Sequence, residues 1–231
     1  MSLLEFKNVC KEFDHKPILK NVSFKVESGR IVGLLGKNGT GKTTIIKLIN
    51  DLLTPTSGEV LINGNKPGIE SKKIVAYLPE RSYLDRSKKV SQILEYFCDF
   101  YDNFDVAKAR KLLKDLGLEE NARIAKMSKG MIEKLQLILV MSREADLYVL
   151  DEPLGGVDPA TRDYILDTIL SNFKAGASVI ISTHLIADIE RILDDVIFVD
   201  QGEIVLVDST DDLREKTNQS IDEVFRGMFR C

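Results

Sequence analysis

The sequence predicts an α/β fold: a mostly parallel sheet core covered on both faces, an N-terminal antiparallel β part and an inserted helical subdomain. Three observations predict it. Short apolar runs recur at 31–35, 147–150 and 178–182, each with a helical pattern downstream. A glycine-rich loop joins the first run to its helix. Between about 88 and 142 the strands give way to three successive helical patterns.

The elements follow in order. Val22, Phe24 and Val26 alternate with Ser23 and Lys25, as in a half-buried strand. Ile31 to Leu35 suits a buried strand. Thr43 to Leu53 carries Ile45, Ile46, Leu48, Ile49, Leu52 and Leu53 in helical rhythm, and Thr54-Pro55-Thr56-Ser57-Gly58 stops it. Glu59–Ile62 and Lys73–Leu78 read as further strands. Ser91 is expected to cap a helix bearing Ile93, Leu94, Phe97 and Phe100. Asp105 caps a second, with Ala109, Leu112, Leu113 and Leu116, ended by Gly117. A third runs from Ser128 to Met141. Leu147–Leu150 and Ser178–Ser182 are apolar strands, followed by helices over Pro159–Phe173 and Leu185–Leu193. Val196–Val199 and Glu203–Val207 flank Asp200-Gln201-Gly202, a hairpin signal. The aromatics Tyr96, Phe97, Phe100, Tyr101 and Phe104 are expected in the core of the helical subdomain.

The expected organisation is one domain. Residues 1–87 and 143–210 form the α/β lobe, 88–142 the helical subdomain and 211–231 a short polar tail. That tail carries Ile221, Val224, Phe225 and Met228 at helical spacing.

Composition narrows the function. The chain has 231 residues and is 44% hydrophobic, which supports a packed core rather than long disorder. Lys and Arg number 32 against 36 Asp and Glu, a net charge of −4, so a broad basic nucleic-acid footprint is not expected. No apolar run approaches the ~18 residues of a membrane span. Glu5, Lys7, Lys11 and Glu12 interrupt the stretch where a signal peptide would be apolar, so a cytoplasmic location is expected. Cys10, Cys98 and Cys231 fit no metal spacing.

The strongest local signal is Gly36-Lys37-Asn38-Gly39-Thr40-Gly41-Lys42-Thr43, a G-x-x-x-x-G-K-[ST] run between a strand and a helix. Glycines let several backbone N–H groups converge on one phosphate chain at the positive end of a helix. Asn38, Gly39, Thr40, Gly41, Lys42, Thr43 and Thr44 are therefore expected to bind nucleotide. Lys42 supplies charge to the β- and γ-phosphates, and the Thr43 hydroxyl is a hard oxygen ligand for Mg2+.

The second signal is Leu147-Tyr148-Val149-Leu150-Asp151-Glu152, an apolar strand ending in two carboxylates. Asp151 would hold Mg2+, and Glu152 would orient or deprotonate the attacking water. The third is His184. Parallel strands end on one side of the sheet, so the loop after 178–182 reaches the same crevice. A histidine there can hydrogen-bond the γ-phosphate and the attacking water. These residues alone give a P-loop NTPase core that hydrolyses a Mg2+-nucleotide.

GKNGTGKTT, MSKGM at 127–131, LYVLDEP, GGVD at 155–158 and STH at 182–184 resemble, in this order, the ATP-binding cassette (ABC) ATPases. The resemblance spans roughly residues 3 to 208. It implies ATP as the nucleotide, ATP-dependent dimerisation with a second ATPase subunit (identical or not), and a separate integral membrane permease. Location would then be peripheral, at the inner face of the cell membrane. The resemblance also puts the adenine-stacking aromatic on Phe13. Its signature segment, which meets the γ-phosphate of ATP held by the other subunit, falls on Ser128 and Gly130. Asp158 matches the loop that crosses between subunits.

Two departures stand out. Lys129 and Met131 replace the usual glycine and glutamine of the signature; Lys129 either adds a cation near the partner's phosphate or faces solvent. Glu80 stands in Tyr77-Leu78-Pro79-Glu80 where the family has a Mg2+-touching glutamine, and glutamate can still bind Mg2+ through oxygen. YLPE and MSKGM are similar to bacterial export cassettes. The alternative reading is a soluble cassette ATPase acting on ribosomes or nucleic acid. One phosphate loop, no heptad insertion and net acidity speak against that. A P-loop small-molecule kinase would not need the signature, crossing loop and histidine together.

Overall fold

The computed structural model describes residues 2–155, 157 and 159–229. The antiparallel strands β1 (Ser2–Phe13) and β2 (Lys16–Glu27) come first, followed by β3 (Ile31–Leu35) and α1 (Lys42–Ile49). Next are β4 (Ser57–Ile62), α2 (Ile69–Ile74) and β5 (Val75–Leu78). The helices α3 (Val90–Phe100), α4 (Val106–Asp115) and α5 (Lys129–Met141) form the insertion. The chain then runs through β6 (Leu147–Asp151), α6 (Pro159–Asn172), β7 (Ser178–Thr183) and α7 (Ile186–Ile189). It closes with β8 (Asp195–Asp200), β9 (Glu203–Ser209), α8 (Thr210–Thr217) and α9 (Ile221–Met228).

Two sheets result. Strands β2-β1-β4 make an antiparallel sheet. A second sheet has the order β5-β6-β7-β3-β8-β9, parallel except where β9 returns antiparallel beside β8. Alternation across this second sheet separates two cores. Leu147, Val149, Ile180, Ile197 and Val199 pack with α1 and the antiparallel sheet. Tyr148, Leu150, Val179, Ile181, Val196 and Phe198 pack on the other face with residues of α3, α4 and α5. The helical segment is thus continuous with the sheet through one apolar cluster. Arg143, 4% exposed, pins it further. Its guanidinium donates to Val75 O at 2.7 Å and Lys72 O at 2.9 Å, and stacks 3.8 Å from the Tyr101 ring centroid.

Several expectations shift by a turn or less. α1 stops at Ile49, four residues before Leu53, because Asn50 caps it with its amide on Ile46 O and Asp51 turns left-handed at φ 54°. The strand expected over 73–78 begins at Val75, since Ser71 closes a turn on Gly68 that opens α2. The cap of α3 is Lys89, whose N–H is taken by the Gln92 side chain, not Ser91. Asp105 and Ser128 do cap α4 and α5, accepting from Lys108 N and Met131 N. The 200–202 hairpin forms with Gln201 and Gly202 both at positive φ. Residues 210–228 are two packed helices rather than a polar tail: the Phe225 and Phe198 ring centroids lie 5.4 Å apart. Phe97 lies in the core as expected, while Tyr96 and Phe100 stack on each other at the surface.

Candidate nucleotide site

Parallel strands in register bring four loop starts to one edge. Leu35 is level with Thr183, Asp151 with Ser182, and Leu78 with Leu150. The loops after β3, β5, β6 and β7 therefore face one cavity of about 560 Å3, a size suited to a nucleotide.

The glycine loop forms one wall. A Cβ on Gly36 would lie 2.4 Å from Val199 O, so no other residue fits there. Gly41, at φ 112°, turns the chain into α1. Lys42 is 6% exposed and curls back, donating to Gly36 O at 2.7 Å and Lys37 O at 3.0 Å. Burial lowers its pKa, while Glu152, Asp151 and Glu80 oppose that shift. Asn38, Gly39, Gly41, Lys42, Thr43 and Thr44 all line the cavity. Thr40 sits behind the wall, donating to Lys37 O at 2.9 Å.

The acidic wall comes from the other three loops. Asp151 is 2% exposed, and neither carboxylate oxygen has a hydrogen-bond partner. Burial pushes its pKa up to about 6, helped by Glu152 and Glu80 and opposed by the hydroxyls of Ser182 and Thr43. Glu152 takes a left-handed φ of 50°, a strain that turns its side chain out of the strand. Its N–H is held by Ser182 O at 2.8 Å, and Thr183 Oγ1 donates to its carboxylate at 3.2 Å. His184 Nδ1 lies 3.1 Å from both Glu152 oxygens. A carboxylate only accepts, so Nδ1 carries the proton and Nε2 is left for a second partner.

The residues present fit a Mg2+ ion. A buried, orphaned carboxylate is costly unless a cation completes it. Asp151, the Thr43 hydroxyl and Glu80 present hard oxygens to the same space. No group of three or more His, Cys, Asp and Glu able to hold a metal occurs among the described residues. The wall from β6 can thus hold a metal and a water-side base, and the loop after β3 a phosphate chain.

Other expected residues lie elsewhere. Phe13 ends β1, is 42% exposed with Lys11 Nζ 5.0 Å from its ring centroid, and does not line the cavity, whereas Ile18 of β2 does. Ser128 and Gly130 open α5 outside the cavity. Lys129 reaches its edge and pairs loosely with Glu133 at 3.6 Å. Asp158 lies outside the described residues. Ser182 and Thr183 entered the sequence reading only through the STH run, with no role of their own, and Ile18 and Gln136 were not singled out. Of those two, only Ile18, an apolar residue after a polar turn, carried any signal.

Comparison with known proteins gives the family and the fold. The family model described as "ABC transporter" matches residues 19–155. The ABC-type transporter ATP-binding protein EcsA of Bacillus subtilis (strain 168) is 34% identical over 94% of this chain and 91% of its own. The SkfA peptide export ATP-binding protein SkfE of the same organism is 30% identical over 89% of this chain and 88% of its own. A solved ATP-binding subunit of an ABC transporter superposes with a TM-score of 0.89, at 29% identity, over 99% of this chain and 100% of that one. A bacterial Atm1-family ABC exporter with ATP bound shares the fold, with a TM-score of 0.81, over 99% of this chain and 42% of that one.

Proposed function

The chain belongs to the ABC transporter family as an ATP-binding, ATP-hydrolysing subunit, and from that premise we propose how its residues divide the work. The Gly36–Thr43 loop and Thr44 hold the phosphates, with Lys42 releasing Gly36 O and Lys37 O to neutralise them. Thr43, Asp151 and Glu80 would hold Mg2+, which would supply charge neutralisation to the phosphates. Glu152 orients and deprotonates the attacking water. His184 fixes Glu152 through Nδ1 and offers Nε2 to the γ-phosphate. Phe13 stacks on adenine from the end of β1.

ATP is then closed over by a second ATPase subunit through Ser128, Gly130 and Asp158, and the pairing drives a separate integral membrane permease from its cytoplasmic side. We treat residues 88–142 as the subdomain that carries the signature. No helix among the described residues is long and apolar enough to cross a membrane, which suits a subunit that borrows its membrane part. Export is the favoured direction, since SkfE, named for peptide export, is similar over nearly the whole chain.

The observation that carries the reading is the unpartnered Asp151 beside the strained, histidine-bound Glu152, both facing the glycine loop. The test is Glu152→Gln. It should bind MgATP, lose nearly all turnover and elute as a dimer with ATP; near-normal hydrolysis would remove Glu152 from the base role. The same variant, used with ATP to capture partners from solubilised membranes, should retain a polytopic membrane protein. Recovery of ribosomes or nucleic acid instead would overturn the transport assignment.

A further inference from the structure

Gln136 is 3% exposed in the middle of α5, yet it lines the nucleotide cavity and its Nε2 has no hydrogen-bond partner. A buried amide N–H left unmade destabilises the fold, so such donors are rare and call for an explanation. Leu135, Leu137, Ile138 and Leu139, which flank it along α5, are buried and offer no side-chain acceptor, and a methionine is of similar size.

The cavity offers an acceptor. α5 packs against β5, and β5 ends at Leu78, so Pro79 and Glu80 face the same space as Gln136. Arg143, bonded to Val75 O, fixes the end of α5 against that strand, so Gln136 is held in place. Glu80 is exposed, and its charge reaches Lys42 and Asp151, which puts it at the acidic wall. Glu80, Asp151 and Glu152 all line that cavity. A carboxylate at position 80 can ligate a cation but donates nothing, so its second oxygen needs a donor from elsewhere.

We propose that Gln136 is a positioning residue: in the ATP-bound subunit its carboxamide N–H donates to the Glu80 carboxylate and aims that carboxylate at the metal. This rests on the nucleotide-site reading above. Glu80 and Gln136 then act as one unit, with the acceptor on the loop after β5 and the donor on α5. Through that bond the arrival of the metal would be felt by the helix that Ser128 caps and whose first turn carries Gly130.

The test is a double-variant cycle on the full chain, with Gln136→Met and Glu80→Gln. Without nucleotide, Gln136→Met should melt at or above the wild-type temperature, by up to about 4 °C, because an unpaired buried donor is gone. With ATP, it should raise the Mg2+ concentration for half-maximal hydrolysis by about tenfold, the loss of one hydrogen bond to a charged group. In the Glu80→Gln background, where position 80 carries its own amide donor, the same substitution should add less than about twofold. The exchange Glu80→Gln with Gln136→Glu should bring the midpoint back to within about twofold of wild type. Equal effects of Gln136→Met in both backgrounds, or an unchanged Mg2+ midpoint, would overturn the pairing. If Gln136→Met fails to fold, the exchange variant decides: a midpoint no better than the worse single variant overturns it. Wild-type protein that gains no thermal stability from MgATP would instead overturn the nucleotide-site reading itself.

Discussion

Replacing Asp151 by asparagine should stabilise the protein without nucleotide while destroying its MgATP chemistry. The carboxyl is 2% exposed, lacks a hydrogen-bond partner and has its pKa pushed from 3.8 to about 6. A shift of about 2 units, at 1.36 kcal/mol each, makes the ionised form cost about 3 kcal/mol near neutral pH. The amide brings its own unmade hydrogen bonds, at about 1–2 kcal/mol, partly offset by the Ser182 hydroxyl beside it. The net gain is about 1–2 kcal/mol, or roughly 3–6 °C in Tm for a chain of this size. The sign with pH follows from the direction of the shift. A carboxyl whose folded pKa is raised favours the fold below its unfolded pKa and loses that contribution as pH rises through about 6. Below pH ~4, where the carboxyl is neutral and only the amide's own cost remains, Asp151→Asn should therefore melt slightly below wild type, and between pH ~4 and ~6 it should overtake it. Scanning calorimetry in chelator, across that range and up to pH ~7.5, reads this directly. MgATP should raise the wild-type Tm and leave the variant nearly unmoved. A variant less stable than wild type at neutral pH, or a difference independent of pH, would refute the account of Asp151 as a buried charge waiting for a cation.

The other substitutions separate binding from turnover. Lys42→Ala should weaken ATP binding on the order of 100-fold by titration, since the phosphates lose a charged donor. His184→Ala should lower kcat on the order of 100-fold with little change in ATP affinity, because Glu152 loses its anchor and the transition state a donor; an equal loss of both would make the histidine structural. Phe13→Ala should raise the ATP Kd modestly, by about 1 kcal/mol of stacking, and an unchanged Kd would leave Phe13 a surface residue of β1. Ser128→Arg in the Glu152→Gln background should bind ATP as a monomer and fail to dimerise on size exclusion; dimers that persist would take the signature role from this segment.

How much of the fold was legible depended on where the information lies. The strands of the parallel sheet are apolar runs with nothing to compete, so Ile31–Leu35 and Ser178–Ser182 stood out in the sequence. The errors sit at ends, where a single side chain decides. Asn50 stops α1 by bonding back to Ile46 O, although Leu52 and Leu53 continue the apolar rhythm. Gln92 caps α3 from inside the helix, a role the nearby serine seemed to fill. The last two helices read as a tail because α8 is mostly polar, and Phe225 gains its meaning only from Phe198, which arrives from a distant strand.

The site divides in the same way. Lys42, Asp151, Glu152 and His184 were legible because each ends or directly follows a strand or opens a helix, and parallel register forces those ends together. Gln136 was not, since nothing in a helical run of apolar residues says which face meets a cavity. Ser128 and Gly130 pose a different problem, because their proposed ligand belongs to another molecule. Ser128 is accounted for within this chain: its Oγ accepts the Met131 N–H and caps α5. Gly130 is not. It stands in the first turn of a helix, where glycine costs about 0.5–1 kcal/mol relative to alanine. Nothing lies within 4 Å of where its Cβ would be. The chain's own packing thus gives no reason for glycine at that position, as it gives none for Gly227 in α9. Under the proposed pairing, a second subunit closing on the start of α5 would supply one at Gly130.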